Sequence, residues 1–371
     1  MYGGMWREYN PGCFLVGYKT YIELKKRLPT AEIDLYAIDN KLSGKKIIKE
    51  NKFGHLELNF FSKEKQIDLL DNTLVNYDAI VLGGDIVWGG DDVVEDNEIF
   101  FVNSPKFLSL NRPKVLVNCV HTFYDENSII PVKEKFIKAC ARATYISIRT
   151  KSIQKRLKKI GITKEINHVP DIVLDLEMNN FKDFPLNKNT KKTKIGISIR
   201  AKLKEDLIQA LHSMDLNNYE VFFYPWSKQY SNLETVLAVK KEFGNKFNYL
   251  EKYLNPLESY KLIQNFDISI NDTFHGTIAA IIQKISFISI DIEPELTSRK
   301  DQLLESLNIN KERNIRIRYN CQDNAYILAR EINKLLAKKF KQNNKPLNKA
   351  RKSINKHFDK MAEIIRNSRE Q

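Results

Sequence analysis

Short apolar segments alternate with amphipathic ones along most of this chain, and one polar stretch interrupts the alternation. The apolar segments are rich in β-branched and aromatic residues and have the length of strands. The predicted strands, four on each side of the interruption, are 33–38, 79–83, 115–119, 145–148, 194–199, 220–224, 267–270 and 287–290. Strands that alternate with helices form parallel sheets covered by helices on both faces. The sequence therefore predicts an α/β fold.

The interruption, Glu177–Thr193, is polar and contains a proline and several lysines, which is typical of a linker. It predicts two Rossmann-like domains, residues 1–176 and 194–337, joined by residues 177–193 and followed by a basic C-terminal helix in the tail 338–371. Ligands of such sheets bind at the carboxyl ends of the strands. We therefore expect two domains facing a cleft, with the site between them.

The net charge of +14 is concentrated at the C-terminus, where residues 338–371 contain 11 Lys or Arg against 3 Asp or Glu. The remaining body is only mildly basic, and this disfavours a nucleic-acid partner. Within the tail, apolar residues recur at helical spacing among the basic ones: Ile354, Phe358, Met361 and Ile365. The helix is expected to pack on the body or to lie on an anionic membrane surface, and the sequence leaves both open.

The chain has four widely spaced cysteines, no CxxC pair, no secretory signal at its N-terminus and no apolar stretch of membrane-spanning length. Buried thiols in a reducing cytoplasm are the expectation. The histidines and carboxylates show no metal-ligand spacing, so we expect no metal and no other cofactor.

The most informative segment is DISINDTFHGTIAA, in which a strand runs through Asp272 and Thr273 into a helix that begins near His275 and Gly276. Amide N–H groups at a helix start favour an anion, and glycine permits its close approach. His275 in this place is a candidate for binding a carboxylate or phosphate, or for proton transfer. The alternative is a histidine that only satisfies a turn.

Cations also lie where predicted strands end or helices begin. Arg200 ends KIGISIR, and Arg149 ends YISIR. A guanidinium matches a carboxylate or phosphate, but each arginine could equally pair with a structural acid, the role we favour for Arg149. Arg299 and Lys300 open a predicted helix and suit either a phosphate or solvent.

In the first half, the strand at 79–83 runs into Gly84 and Asp85, with Trp88 shortly after. Glycine brings backbone close to a ligand, and the Asp85 carboxylate suits sugar hydroxyls. Asp171, in HVPD, faces the cleft or forms a turn with its proline. No nucleotide-binding glycine motif is present.

Taken in order, these pieces resemble the polysaccharide pyruvyl transferase family over roughly residues 10–310. The matching segments are GGD with Trp88, YISIR, VPD, GISIR, DTFHGTIAA, FISID and SRKDQLLESLNI. The resemblance implies a GT-B-like pair of lobes, the first for the acceptor and the second for the donor. It implies transfer of the enolpyruvyl group of phosphoenolpyruvate to a glycan or lipid-linked oligosaccharide in cell-envelope exopolysaccharide biosynthesis.

In that family, the His of the HG block and the Arg that ends the first strand of the second lobe bind the donor. The resemblance gives these roles to His275 and Arg200. The expected substrate-binding residues are Thr273, Phe274, Gly276, Arg299, Lys300, Gly84, Asp85 and Asp171. Many members have Arg at the position of Thr273 and Asp at the position of Cys13.

Two other functions remain open. A glycosyltransferase of similar fold would use a nucleotide sugar, with Glu293 or Glu295 on the ribose. A non-catalytic, glycan-binding homologue is favoured by Thr273 and Cys13 and disfavoured by the presence of both His275 and Arg200.

Overall fold

The structure is a computed structural model of the chain, and it describes twelve stretches separated by gaps. The described residues are 2–4, 10–38, 58–61, 69–85, 104–121, 129–130, 132–177, 186, 191–293, 298–318, 321–338 and 343–368.

The described residues group into two compact units. The first holds Cys13–Val173 with the N-terminal strand and Lys349–Gln371, and the second holds Leu174–Asn348 with Gly12. From the sequence we predicted lobes at 1–176 and 194–337 and a separate tail at 338–371. In the structure, residues from 349 onward group with the first unit.

The first unit contains a parallel sheet whose seven described strands have the order β3-β2-β1-β4-β5-β6-β7. Each strand pairs in parallel with its neighbours, as βαβ connections require. The strands are β1 Tyr2–Gly4, β2 Leu35–Ile38, β3 Leu58–Phe61, β4 Ala79–Asp85, β5 Lys114–Val120, β6 Tyr145–Ile148 and β7 Asn167–His168.

The second unit contains another parallel sheet, whose six described strands have the order β10-β9-β8-β11-β12-β13. These strands are β8 Thr193–Ser198, β9 Tyr219–Phe223, β10 Asn248–Tyr249, β11 Ile268–Asn271, β12 Ser286–Glu293 and β13 Asn314–Arg318. Numbered within the unit, the order is 3-2-1-4-5-6, that of a doubly wound dinucleotide-binding sheet. Its direction of winding reverses between β8 and β11, where ligands of such sheets bind.

Helices connect the strands in both units. In chain order they are α1 Pro11–Arg27, α2 Pro105–Leu108, α3 Lys133–Arg142, α4 Lys151–Lys159, α5 Lys204–His212, α6 Asn232–Phe243, α7 Pro256–Ile263, α8 Phe274–Ile282, α9 Arg299–Ser306, α10 Asn324–Leu336 and α11 Asn344–Asn367. Each unit has its own apolar core of strand and helix side chains. The predicted α/β fold of two Rossmann-like domains is confirmed.

All eight predicted strands form, with ends that differ by three residues at most. The sequence did not predict β1, β3, β7, β10, β13, α2 or α10. The spacing of apolar residues in the sequence predicts a helix over 18–28, and helix α1 begins seven residues earlier, at Pro11. Proline suits a first helical turn because its missing N–H is not needed there, and the Asn10 side chain accepts the Gly12 N–H at 3.1 Å.

Helix α11 packs on the first unit. Ile354, Phe358 and Met361 are fully buried, whereas Ile365 is half-buried. Arg27 of α1 donates to Asp359 at 2.7 Å and to the Asn355 side chain at 3.1 Å. The apolar stripe of the tail is therefore the packing face of a structural helix.

A buried polar chain runs from α11 into the first sheet. The Nε2 atom of His357 lies 2.8 Å from Oδ1 of Asn118, and this oxygen can only accept. The proton is therefore on Nε2, and Nδ1 accepts from the hydroxyl of Tyr145 at 2.9 Å. The amide of Asn118 donates in turn to Thr20 at 2.9 Å, so every link is satisfied with a neutral imidazole.

Candidate functional site

Arg200 and Asp272 meet at the point where the second sheet reverses its winding. Arg200 lies two residues after the end of β8 and Asp272 one residue after the end of β11, and these strands pair from Ile195 and Ile268 to Ser198 and Asn271. Oδ2 of Asp272 accepts from the backbone N–H of Arg200 at 3.0 Å and from its Nε at 2.5 Å, while Nη2 donates to the Asp272 carbonyl at 3.0 Å. The aspartate therefore fixes both the backbone and the side chain of the arginine.

The pair with Asp272 leaves part of the Arg200 guanidinium available for a further hydrogen bond. The Asp272 side chain is fully buried, whereas 26% of the Arg200 side chain is exposed, and no described residue accepts a hydrogen bond from its Nη1. The guanidinium carbon also lies 4.7 Å from the centre of the Tyr230 ring. Burial alone would lower the pKa of Arg200, but the Asp272 charge outweighs it and raises this pKa. The arginine is held as a fixed cation with one nitrogen available for an anion.

Helix α8 begins two residues after Asp272, at Phe274. Thr273 caps it, since its Oγ1 accepts the Gly276 N–H at 3.1 Å. A Cβ at position 276 would lie 2.6 Å from that oxygen and 2.9 Å from Oδ1 of Asn271. Glycine is therefore required by the cap itself, and Thr273 acts on backbone rather than projecting a charge.

His275 lies in the first turn of α8 and is 7% exposed. Its ring stands edge-on to the Phe274 ring, with centroids 5.3 Å apart. A Cβ at Gly12, which groups with the same unit, would come 1.9 Å from Nδ1 of His275. The imidazole thus occupies a slot that exists because residue 12 has no side chain.

Lys300 lies in the first turn of α9 and is 3% exposed. Its ammonium donates to the carbonyls of Asp272 at 2.9 Å and Ile290 at 2.5 Å, and it pairs with Asp291 at 3.0 Å. All three N–H groups of a lysine are thereby used. Lys300 joins the ends of β11 and β12 beneath the Arg200–Asp272 pair.

The charge of Lys300 is balanced by Asp291. Burial would raise the pKa of this carboxyl, but the Lys300 charge and hydrogen bonds from Asn314 and Ser298 lower it to about 2. Burial lowers the pKa of Lys300, and the charges of Asp291 and Asp272 oppose that effect. Lys300 and Asp291 therefore form a buried ion pair that further hydrogen bonds support.

Arg299 and Phe274 provide a second cation at the start of α8. The guanidinium carbon of Arg299 lies 5.4 Å from the centre of the Phe274 ring, and both side chains are half-buried. The structure thus brings together the six candidates that the sequence placed in the second lobe with His275: Arg200, Thr273, Phe274, Gly276, Arg299 and Lys300.

The candidate residues that the sequence placed in the first lobe are Gly84, Asp85 and Asp171. Strand β4 ends with Gly84 and Asp85, and Trp88 lies outside the described residues. Asp171 is 3% exposed and forms a 2.6 Å ion pair with Arg149. That pair is the structural role favoured for Arg149 from the sequence.

Two residues of the site were not singled out from the sequence. Asp272 was noted only as part of a polar turn. It lies just after the end of a strand, as Arg200 does, and this shared position could have identified it. Tyr230 had no signal, because it lies 30 residues from Arg200 in a turn before α6. Glu295 lies outside the described residues, as does the side chain of Glu293.

Within the described parts of the chain, no group of three or more His, Cys, Asp or Glu residues has the arrangement of a metal site. No helix there is both long and apolar enough to cross a bilayer. The four cysteines are free thiols, and three of them are buried.

Comparison with solved structures places the fold among GT-B-type proteins. UDP-GlcNAc 2-epimerase from Methanocaldococcus jannaschii, in complex with UDP-GlcNAc and UDP, matches with a TM-score of 0.60 and 15% identity over 97% of this chain and 99% of that chain. A glycosyltransferase from Rickettsia africae matches with a TM-score of 0.55 and 13% identity over 100% and 96%. At these identities the likeness concerns the fold alone.

Two further comparisons use the amino-acid sequence. No curated protein sequence matches the chain. The model of the family "Polysaccharide pyruvyl transferase" matches residues 10–294, which include the Arg200–Asp272 pair and the start of α8. The chain therefore belongs to the polysaccharide pyruvyl transferase family of transferases.

Proposed function

We propose that this protein transfers the enolpyruvyl group of phosphoenolpyruvate to a sugar of a cell-surface polysaccharide, forming a pyruvate ketal. The observation that carries the proposal is Arg200, held by Asp272 at the reversal point with Nη1 available. Phosphoenolpyruvate carries a carboxylate and a phosphate, and a fixed guanidinium is a preorganised partner for either.

The proposed chemistry begins when a sugar hydroxyl attacks C2 of phosphoenolpyruvate and a proton is added to its methylene carbon, C3. The C2–O bond to phosphate then breaks, and inorganic phosphate leaves. A second hydroxyl of the same sugar attacks C2 and closes the ketal. Of the two hydroxyl protons, one replaces the proton delivered to C3 and the other leaves with phosphate, so atoms and charge balance.

Each residue has a proposed part in this reaction. Arg200 binds the anionic donor, and His275 transfers a proton or binds the leaving phosphate. Phe274 and Arg299 form the wall near His275, while Thr273 and Gly276 set the helix start. Lys300 holds the ends of β11 and β12, so we assign it the positioning of Asp272 rather than direct contact with phosphate.

For the acceptor we propose the first unit, at Gly84, Asp85 and Asp171, with a glycan or a lipid-linked oligosaccharide as substrate. The Asp171 carboxylate is already paired with Arg149, so it would act by fixing the neighbouring backbone. We also propose a cytoplasmic location, which is where phosphoenolpyruvate is formed.

Titration calorimetry with phosphoenolpyruvate tests the donor. We expect saturable binding that is weakened about ten- to a hundredfold by Arg200→Ala, because a charge-assisted hydrogen bond contributes about 1.5–3 kcal/mol. The control is Arg330→Ala, which removes a half-exposed arginine paired with Glu331 on α10 of the same unit. If the protein bound UDP-GlcNAc and not phosphoenolpyruvate, the pyruvyl donor would be wrong and a nucleotide-sugar donor would replace it.

The outer face of α11 supports a further part of the proposal, contact with an anionic membrane surface. It presents exposed basic residues along the helix: Lys345, Lys349, Lys352, Lys356, Lys360 and Arg366. We expect sedimentation with vesicles containing phosphatidylglycerol at low salt and release near 0.5 M salt, since screening shortens the reach of charge. Equal sedimentation with pure phosphatidylcholine vesicles would contradict an electrostatic contact.

A further inference from the structure

A cavity of about 550 Å³ lies in the first unit, beside α11. It is lined by residues 144–146 at the start of β6, by residues 164, 165 and 167–169 around β7, and by one face of α11. It lies at the amino end of β6, whereas Asp85 is at the carboxyl end of β4. Its volume is in the range of small-molecule sites.

The charges around the cavity are mainly positive. Among the described lining residues are Lys164, Lys356 and Lys360 but one acidic residue, Glu165. Lys360 forms an exposed pair with Glu363 at 3.1 Å, and such a pair holds its cation weakly. Lys164 and Lys356 form no ion pair with a described residue.

Lys164 is held in a fixed position with capacity left for a ligand. Its ammonium donates to the carbonyl of Ala141 at 3.0 Å and to that of Ala143. A lysine has three N–H donors, and no described residue accepts the third. Lys356 lines the cavity from α11, is exposed, and has no acceptor among the described residues.

The floor of the cavity is neutral and rigid. The Tyr145 ring stacks on the His357 ring, with centroids 5.5 Å apart, and its hydroxyl donates to Nδ1. Burial lowers the pKa of His357 to about 3, so this imidazole is uncharged at neutral pH. His168 and a set of apolar and neutral polar side chains complete the lining: Ile146, Val169, Ile364, Thr144, Asn167 and Ser353.

We propose that this cavity binds a small soluble sugar phosphate, with the phosphate between Lys164 and Lys356 and the sugar ring over Tyr145. An anion between these two cations gains charge-assisted hydrogen bonds from the third N–H of Lys164 and from the Lys356 ammonium, without displacing existing ones. An aromatic ring beside amide and hydroxyl groups matches the apolar face and polar rim of a pyranose. The site is separate from the donor site of the second unit and does not depend on its chemistry.

Calorimetry with glucose 1-phosphate on the full chain tests the proposal. We expect saturable binding that is weakened about tenfold in Lys356→Gln and in Lys164→Gln, the loss of one charge-assisted contact. Lys352→Gln is the matched control, because Lys352 is also exposed on α11 but does not line the cavity. Arg200→Ala should leave this affinity unchanged, which separates the cavity from the donor site.

A chemical measurement locates the ligand even if Lys164→Gln destabilises the fold. Glucose 1-phosphate should protect Lys356 from amine acetylation in the wild-type protein and leave Lys352 reactive, as read by mass spectrometry. Equal loss of affinity in Lys352→Gln and Lys356→Gln, or equal affinity for glucose, would overturn the assignment. A third result would also overturn it: the protein does not bind glucose 1-phosphate but does bind phosphatidic acid vesicles, and Lys164→Gln weakens that binding. The ligand of the cavity would then be a lipid.

Discussion

Replacing His275 with alanine is expected to lower kcat for pyruvyl transfer about 10²–10⁴-fold, the usual contribution of general acid–base catalysis. The residue lies in the first turn of α8, two residues after its cap and close to Asp272. Initial rates with phosphoenolpyruvate and an acceptor glycan measure the effect. The melting temperature should change little if the residue serves chemistry more than packing.

His275→Gln separates the two roles proposed for the imidazole. Glutamine retains a hydrogen-bond donor but transfers no proton, so a phosphate-binding role predicts that it recovers most of the activity lost in the alanine variant. A proton-transfer role predicts low kcat in both variants with KM near the wild-type value. Wild-type rates in both variants would remove His275 from the reaction.

Gly12→Ala displaces the same ring without deleting it. The new Cβ would lie 1.9 Å from Nδ1 of His275, so the imidazole must move. We expect kcat to fall in this variant as well, because small misplacement of a catalytic group is costly. Wild-type activity in Gly12→Ala with inactive His275→Ala would mean that the orientation seen in the structure is not the reactive one.

The sequence predicted secondary structure best where the local pattern of residues matches the burial of the element in the fold. Strands such as Tyr145–Ile148 are β-branched, short and bounded by polar residues, and the predicted limits match the structure. The first seven residues of α1 lacked such a signal, since Phe14, Leu15 and Val16 are all buried and show no polar stripe. Strand β13 was missed because NIRIR alternates apolar and charged residues, a pattern weaker than the continuous apolar strands beside it.

Lys300 shows why roles are harder to predict than positions. From the sequence it stands beside Arg299 at a helix start, and both suit a phosphate. In the structure the ammonium of Lys300 is buried against two carbonyls and Asp291, while Arg299 lies over an aromatic ring. The difference arises from tertiary contacts of Lys300 with Asp272, 28 residues away, and with Ile290, 10 residues away, and no local pattern records it.

The grouping of α11 with the first unit has the same cause. The stripe of Ile354, Phe358 and Met361 predicts a packed face, but not which surface receives it. The receiving partners, Asn118 and Tyr145, lie more than 200 residues away. Their bonds to one histidine make the docking of this helix sensitive to pH, which can be tested directly.

Acidification should destabilise the first unit through His357. Burial lowers the pKa of this imidazole to about 3 in the folded protein, against about 6.5 for a free histidine. The unfolded chain therefore binds the proton more tightly, so the contribution to stability is complete above pH 6.5. It is lost at about 1.4 kcal/mol per pH unit as pH falls toward 3, which amounts to about 2 kcal/mol between pH 7 and pH 5.

Urea unfolding of the wild-type protein and two variants at pH 7, 6 and 5 measures this contribution. His357→Gln keeps a donor and an acceptor but does not titrate, so we expect lower stability at pH 7 and a flatter dependence on pH. His212→Gln is the control, because His212 is exposed and pairs with Glu242 in the second unit. A flattening seen in His357→Gln and not in His212→Gln assigns the effect to His357. If the stability of His357→Gln depended on pH as steeply as that of the wild type, the proton would be taken up elsewhere. The hydrogen bonds of His357 with Tyr145 and Asn118 would then not cause the loss of stability in acid.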